Sequence, residues 1–258
     1  MAKPVLITGA SSGIGYELAR VCAAHQHDVI LVARREDRLK DLKEKLEAAH
    51  GVQVWPYQAD LTEATARQAL LDWTQSLGLP LYALVNNAGF GHLQFFAETD
   101  WERQNAMVQL NIVALTHLTR LFLPGFIAQG QGRILNVAST AAFLPGPYMA
   151  VYYASKAYVM SFTEAIASEL EGTGVTATTL CPGPTESEFP DQAQIGEMEL
   201  FKGKLPSSAE VAVFGYEAME RGQRIAVHGI TNQMLTLSTR LLPSKQLAAM
   251  MKKLQKPG

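Results

Sequence analysis

One short run constrains the fold more than any other feature. Val29-Ile30-Leu31-Val32 places apolar side chains on consecutive positions, and successive strand residues point to opposite faces, so both faces must be covered. That requirement predicts a parallel sheet with helices on each side. Similar apolar segments at 4–8, 28–33, 52–58, 81–86, 131–138, 174–180 and 224–228 alternate with amphipathic stretches at 13–26, 36–50, 62–77, 101–129, 149–172 and 207–221. The alternation predicts repeated βα units and a doubly wound α/β fold.

The boundaries carry their own signals. Thr62 before Glu63, and Ser207-Ser208 before Glu210, read as helix starts. Gly51, Gly78, Gly130 and Gly172 each follow an amphipathic stretch, where a left-handed cap is expected. No linker, repeat or low-complexity segment divides residues 1–258, which are expected to form one domain. Residues 184–206 mix Pro, Gly, acidic and aromatic residues without a period and read as a substrate loop or lid.

Bulk properties exclude several classes. With 48% hydrophobic and 18% charged residues, the chain has the balance of a globular protein able to bury a substantial core. Its two cysteines, Cys22 and Cys181, fit neither a disulfide framework nor a zinc site, so no metal is expected and a reducing, cytoplasmic setting fits best. A net charge of -2 and a pI near 6.3 give no basic footprint for nucleic acid. The N-terminal apolar run is too short for a secretory signal, and no apolar run approaches the ~18 residues of a membrane span.

Between the first apolar run and the first amphipathic stretch lies Thr8-Gly9-Ala10-Ser11-Ser12-Gly13-Ile14-Gly15. A strand-to-helix turn of this kind presents free N–H groups and the positive end of a helix dipole to a phosphate, and its glycines let backbone approach a pyrophosphate. The same residues satisfy G-x-S-x-G, the nucleophile elbow of serine hydrolases. An elbow needs an earlier strand and loop for its second oxyanion donor, and only eight residues precede Gly9. Ser11 is therefore expected to bind phosphate. The second strand ends in Ala33-Arg34-Arg35, where an acid would hold the ribose hydroxyls of NAD. Guanidinium groups there suit a 2′-phosphate, so NADP(H) is expected over NAD(H).

Tyr152 and Lys156 stand four residues apart on one helix face, where an ammonium group is expected to lower the phenol pKa and make Tyr152 an acid and base. Tyr153 is three residues from Lys156, and spacing alone leaves both tyrosines open.

These motifs resemble the short-chain dehydrogenase/reductase family, in its single-domain, doubly wound branch. The turn Thr8 to Gly15, Asp60-Leu61, Asn86-Asn87-Ala88-Gly89 and Tyr152 to Lys156 occur in the family's order, over about residues 3–185. The resemblance implies a Rossmann fold with a seven-stranded, mostly parallel sheet in the order 3-2-1-4-5-6-7. It also implies that Tyr152 is the proton donor, that Ser139 hydrogen-bonds the substrate carbonyl, that Asn111 holds a water leading to Lys156, and that Lys156 also holds the nicotinamide ribose. By the same resemblance, Gly9, Ser11, Ser12, Gly13, Ile14 and Gly15 hold the pyrophosphate, and Asp60 and Leu61 contact adenine. Asn87, Ala88 and Gly89 line the cofactor, Pro182 and Gly183 turn over the nicotinamide, and Thr185 meets its carboxamide. Ser187, where the family usually has Thr, adds a hydroxyl.

The expected reaction is hydride transfer between a nicotinamide and a carbonyl or secondary alcohol. The resemblance extends to hydroxysteroid and 3-oxoacyl reductases, and Phe90, Phe143, Leu144, Tyr148, Met149, Phe189 and Phe201 are candidates for an apolar pocket. In residues 230–258, Leu247, Met250, Met251 and Leu254 form an amphipathic helix. It is expected to dock on its own domain or a partner subunit rather than a membrane. The family commonly assembles as dimers or tetramers through segments equivalent to 101–129 and 149–172. A non-catalytic NADPH sensor and a serine hydrolase using Ser11 are the alternatives.

Overall fold

The computed structural model describes residues 3–193, 195, 204–239 and 241–255. Seven strands make one sheet: β1 (Val5–Thr8), β2 (Val29–Ala33), β3 (Val54–Gln58), β4 (Ala83–Asn86), β5 (Gly132–Val137), β6 (Val175–Cys181) and β7 (Ile225–Val227). Their order is β3-β2-β1-β4-β5-β6-β7, as expected, but every pairing is parallel, where the expectation was a mostly parallel sheet. Pro56, which lacks an N–H, is tolerated because β3 is an edge strand.

The uninterrupted apolar run divides between two cores. Val29 and Leu31 join Val5, Ile7 and residues of α1 (Gly13–Ala24), α2 (Glu36–His50) and α8 (Ser208–Glu220) on one face. Ile30 and Val32 join Leu6 and residues of α3 (Ala64–Ser76), α5 (Leu115–Ala128) and α6 (Ala150–Glu169) on the other. Each such side chain taken fully from water contributes about 1.5–3 kcal/mol.

The structure adjusts several boundaries. Thr62 does not cap α3: its hydroxyl donates to Asp60 Oδ1 at 2.8 Å, and Glu63 occupies the cap position. The Ser207 capping box with Glu210 is present on α8. The 101–129 stretch is one helical rod in three parts, α4 (Trp101–Val108), a π-helical turn (Gln109–Ala114) and α5. Contrary to the sequence expectation, Trp101–Ala128 is by length and composition apolar enough to span a bilayer, its 18-residue window reaching a mean hydropathy of 1.4. Here it is a core helix, with Leu115, Leu118, Phe122 and Phe126 buried. The segment expected to lack regular structure contains α7 (Phe189–Ala193) and a bridge between Glu186 and Ser207. The C-terminal extension holds two helices, the unforeseen α9 (Ile230–Ser238) and α10 (Ser244–Leu254).

Because all strands run the same way, the loops after β1, β4, β5 and β6 emerge along one edge. Chain order reverses between β1 and β4, the switch point where such sheets open a crevice.

Candidate active site

The crevice is a cleft of about 1120 Å³. At one end is the glycine-rich turn. Gly9 and Gly13 have φ of 68° and 57°, and a Cβ on Gly15 would come within 2.3 Å of Asn87 Nδ2 and 2.4 Å of Gly9 O. Asn87 donates to Thr8 O at 3.0 Å and Gly9 O at 3.3 Å, lacing the turn to β4. Ser12 stands at the N-cap of α1 without making a side-chain cap bond. The first-turn N–H groups of α1 are thus left to a ligand, and the turn fits a pyrophosphate.

Arg35 crosses to this turn. Its guanidinium donates to Ser11 Oγ at 3.0 Å and Ser12 Oγ at 2.8 Å. Ser11 is therefore the acceptor of an arginine, which gives no support to its use as a nucleophile. Arg34 is exposed on the cleft rim. Burial works against ionisation of Asp60, but the Thr62 N–H and hydroxyl, with Arg34's charge, outweigh it and hold the carboxyl below its ordinary range. Ala33 and Leu61 line the cleft beside Asp60.

Glu188 is a participant the sequence did not announce. Its carboxylate pairs with Arg38 and with Arg35 at 2.8 Å, and these hydrogen bonds, Arg38 first, pull its pKa to about 2. The segment after β6 is thereby tied across the cleft to Arg35 and to Arg38 of α2, 153 and 150 residues away in sequence.

The other end holds Ser139, Tyr152 and Lys156. Ser139 follows β5 and caps a 3₁₀ turn, its Oγ accepting from Ala141 N–H at 3.1 Å and donating to Pro182 O at 3.3 Å. Its hydroxyl also acts on the Tyr152 phenol, favouring the ionised form. Lys156, 6% exposed, donates to Val137 O at 2.8 Å, with Nζ 5.7 Å from the Tyr152 ring centre. Tyr153 turns elsewhere: its ring lies under Gly146, where a Cβ would be 2.1 Å away, and its hydroxyl meets Gln255 beyond α10. Both tyrosines line the cleft, but it is the Tyr152 ring that Lys156 Nζ approaches.

The expected lowering of the phenol pKa is not found. Burial pushes Tyr152 up, opposed by the Ser139 hydroxyl, while burial pulls Lys156 down to about 8. Lys156 directs its ammonium at a carbonyl rather than the phenol, so loss of hydration dominates for both groups. Asn111 lies in the π turn. Its amide clasps the Phe90 backbone, accepting from N–H at 3.1 Å and donating to O at 2.9 Å, and also donates to Ser155 Oγ at 3.1 Å. Ser155 in turn donates to Tyr152 O at 2.6 Å. Gly89 permits this proximity, since its Cβ would lie 3.0 Å from Asn111 Oδ1 and 3.5 Å from Lys156 Nζ.

Between the two ends, Gly13, Ile14, Ala88, Gly89, Pro182, Gly183, Thr185 and Ser187 line the cleft. Thr185 donates to Gly183 O at 2.9 Å, and Ser187 Oγ accepts from Phe189 N–H at 3.2 Å, starting α7. Of the aromatic and apolar candidates, Phe90, Leu144, Met149 and Phe189 reach the cleft. Phe143 packs near Cys181 instead, and Tyr148 lies beside Phe95. Phe201 falls outside the described residues. Met250, Met251 and Leu254 of α10 and Leu235 of α9 complete the wall. Cys181 is fully buried, and burial pushes its thiol up to about 12, consistent with a packing residue. Among the described residues no His/Cys/Asp/Glu cluster could hold a metal.

A phosphate-ready turn shares one switch-point cleft with half-buried Ser139 and buried Tyr152 and Lys156, the arrangement of a dinucleotide-dependent oxidoreductase. The family model for short chain dehydrogenases matches residues 3–197. The chain is 36% identical over 181 residues to the ketoacyl reductase HetN of Nostoc sp., covering 70% of this chain but only 63% of that protein's length. A short-chain dehydrogenase from Sphingobium yanoikuyae in complex with NADPH superposes with TM-score 0.83 at 28% identity, over 99% of this chain and 98% of that one. One from Burkholderia phymatum in complex with NAD gives 0.82 at 27%, over 93% and 92%. The chain belongs to the short-chain dehydrogenase family and has a Rossmann-type fold.

Proposed function

We propose that the protein is an NADP(H)-dependent carbonyl reductase or alcohol dehydrogenase acting on a lipophilic ketone, aldehyde or 3-oxoacyl compound. The observation that carries this reading is the grouping of Ser139, Tyr152 and Lys156 along the apolar end of a cleft whose other end is a glycine-rich turn seated on Arg35. NADPH, when bound, supplies a hydride from its nicotinamide. Ser139 and Tyr152 orient the carbonyl oxygen, and Tyr152, kept protonated by burial, delivers a proton to that oxygen as negative charge develops. Lys156 supports the phenolate that remains and holds the nicotinamide ribose. Asn111 fixes the loop at Phe90 and, through Ser155, the backbone of Tyr152.

Arg35 and Arg34 provide the charge for a 2′-phosphate, with Ser11 and Ser12 beside it. The apolar residues of α10 favour a lipophilic substrate body, in keeping with the ketoacyl activity named for HetN. Copies of the chain pair through the α4–α5 rod and α6, where Trp101, Ile127 and Tyr158 are exposed; light scattering that finds only monomers sinks this assembly.

The deciding experiment is NADPH oxidation over a panel of ketones, aldehydes and 3-oxoacyl thioesters, repeated with NADH and with two variants. Tyr152→Phe is expected to lose about 10²–10⁴-fold in kcat, while Tyr153→Phe retains activity within a few-fold. Equal losses in both variants, or a preference for NADH, would overturn the respective parts of the proposal.

A further inference from the structure

The amphipathic helix expected near the C-terminus is docked: Leu247 and Met251 of α10 are buried, and Met251 packs with Tyr152 and Tyr153. The preceding helix is different. On α9 only Thr236 is buried, and Ile230, Met234 and Leu237, at i, i+4 and i+7, are 76%, 69% and 63% exposed. Leu241, just beyond the helix, is 84% exposed, and Leu242 is also exposed. A contiguous apolar stripe of this kind on a surface helix marks an interaction face.

The charge of the same region is one-sided. From residue 225 onward the sequence contains Arg240, Lys245, Lys252, Lys253 and Lys256 and no Asp or Glu, although the whole chain has a net charge of -2. Lys245, Lys252 and Lys253 are exposed on α10. A two-fold contact between two copies of this region would set cations against cations with no acid from the region to pair them. An anionic lipid surface complements both features, accepting the apolar stripe at the acyl boundary and the lysines at the headgroups.

A third observation links this face to the cleft. Leu235 of α9 and Met250 and Leu254 of α10 are exposed and also line the pocket. We propose that α9 and the lysines of α10 form a docking face for anionic lipid bilayers, holding the mouth of the substrate pocket against the membrane. A lipophilic carbonyl compound dissolved in the bilayer would then enter past Leu235, Met250 and Leu254. The docking itself does not depend on the catalytic reading; the route for the substrate rests on it.

The test is co-sedimentation of the full chain with vesicles of equal parts phosphatidylglycerol and phosphatidylcholine, against phosphatidylcholine alone. Binding is expected only to the anionic vesicles and is expected to weaken in high salt. Replacing Lys245, Lys252 and Lys253 together by Gln should reduce partitioning on the order of 100-fold, since each surface cation contributes about five-fold. Met234→Asp with Leu237→Asp should abolish binding, with circular dichroism reporting that the fold is kept. Tyr152→Phe should bind as the wild type does, which separates failed docking from failed catalysis. Absence of binding, equal binding to both vesicles, or an oligomer that the Met234→Asp/Leu237→Asp variant dissociates would each overturn the proposal; the last would assign the stripe to a second copy of this chain.

Discussion

Adjacent tyrosines show how finely burial partitions roles. Tyr152 and Tyr153 have similar local sequence, and either one lies within helical reach of Lys156. What separates them is distant in sequence: Gly146 and Gln255 take up Tyr153, while the Tyr152 ring has Lys156 Nζ at 5.7 Å and lines the cleft with Ser139. No local pattern carries that information; the preference for Tyr152 came from the family resemblance. Lys156 has a measurable signature. Its pKa is about 8 in the folded protein against an ordinary 10.5, so between those values the unfolded chain binds more protons and stability rises with pH. Below about pH 8 the burial cost is fully present. Lys156→Met should therefore gain on the order of 2 kcal/mol at pH 7 and flatten the rise in urea-unfolding stability above pH 8, while losing activity. A flat wild-type profile would contradict the burial of a charged ammonium group. In the reducing direction kcat/KM should fall as pH passes about 8 and Lys156 loses its charge, and the fall should move to higher pH in Lys156→Arg.

Elements were legible where periodicity and caps agreed. The run 29–32 announced a strand covered on both faces, and the two cores confirm why: its alternate residues belong to different clusters. Ser207 and Glu210 announced α8, and their capping box is formed. Ser207→Ala should cost about 1 kcal/mol in chemical denaturation, with no change in the unfolding slope. The π turn around Asn111 was not legible, because one extra residue per turn leaves the apolar pattern of 101–129 almost unchanged. Helix α7 is too short for a periodic signal, and the apolar positions of α9, confined to nine residues, could not show that they face outward. On the first βα turn, Gly15→Ala would drive a methyl against Asn87 and Gly9 O. That variant should lose nucleotide binding as measured by fluorescence titration, even if purified folded.

At the scale of the molecule, two long-range links close the cleft from opposite sides. Glu188 joins the segment after β6 to Arg35 and Arg38, and Gln255 joins the C-terminal region to Tyr153. Both lay beyond sequence reasoning, which saw the arginines as awaiting a phosphate and could not know that a carboxylate of the same chain reaches them. Because this pair is more than a third exposed, its strength is discounted. Glu188→Gln should raise affinity for NADPH about three- to ten-fold and leave NADH affinity unchanged; equal effects on both nucleotides would argue against competition at Arg35. The uncapped start of α1 has a further consequence. A helix whose own Ser12 leaves its first-turn N–H groups unserved is completed by something the chain does not encode. With coenzyme at ~100 times its Kd, resistance to unfolding should increase by about 2.7 kcal/mol. The survival of this polypeptide against proteolysis should then follow the total supply of its coenzyme, oxidised and reduced together.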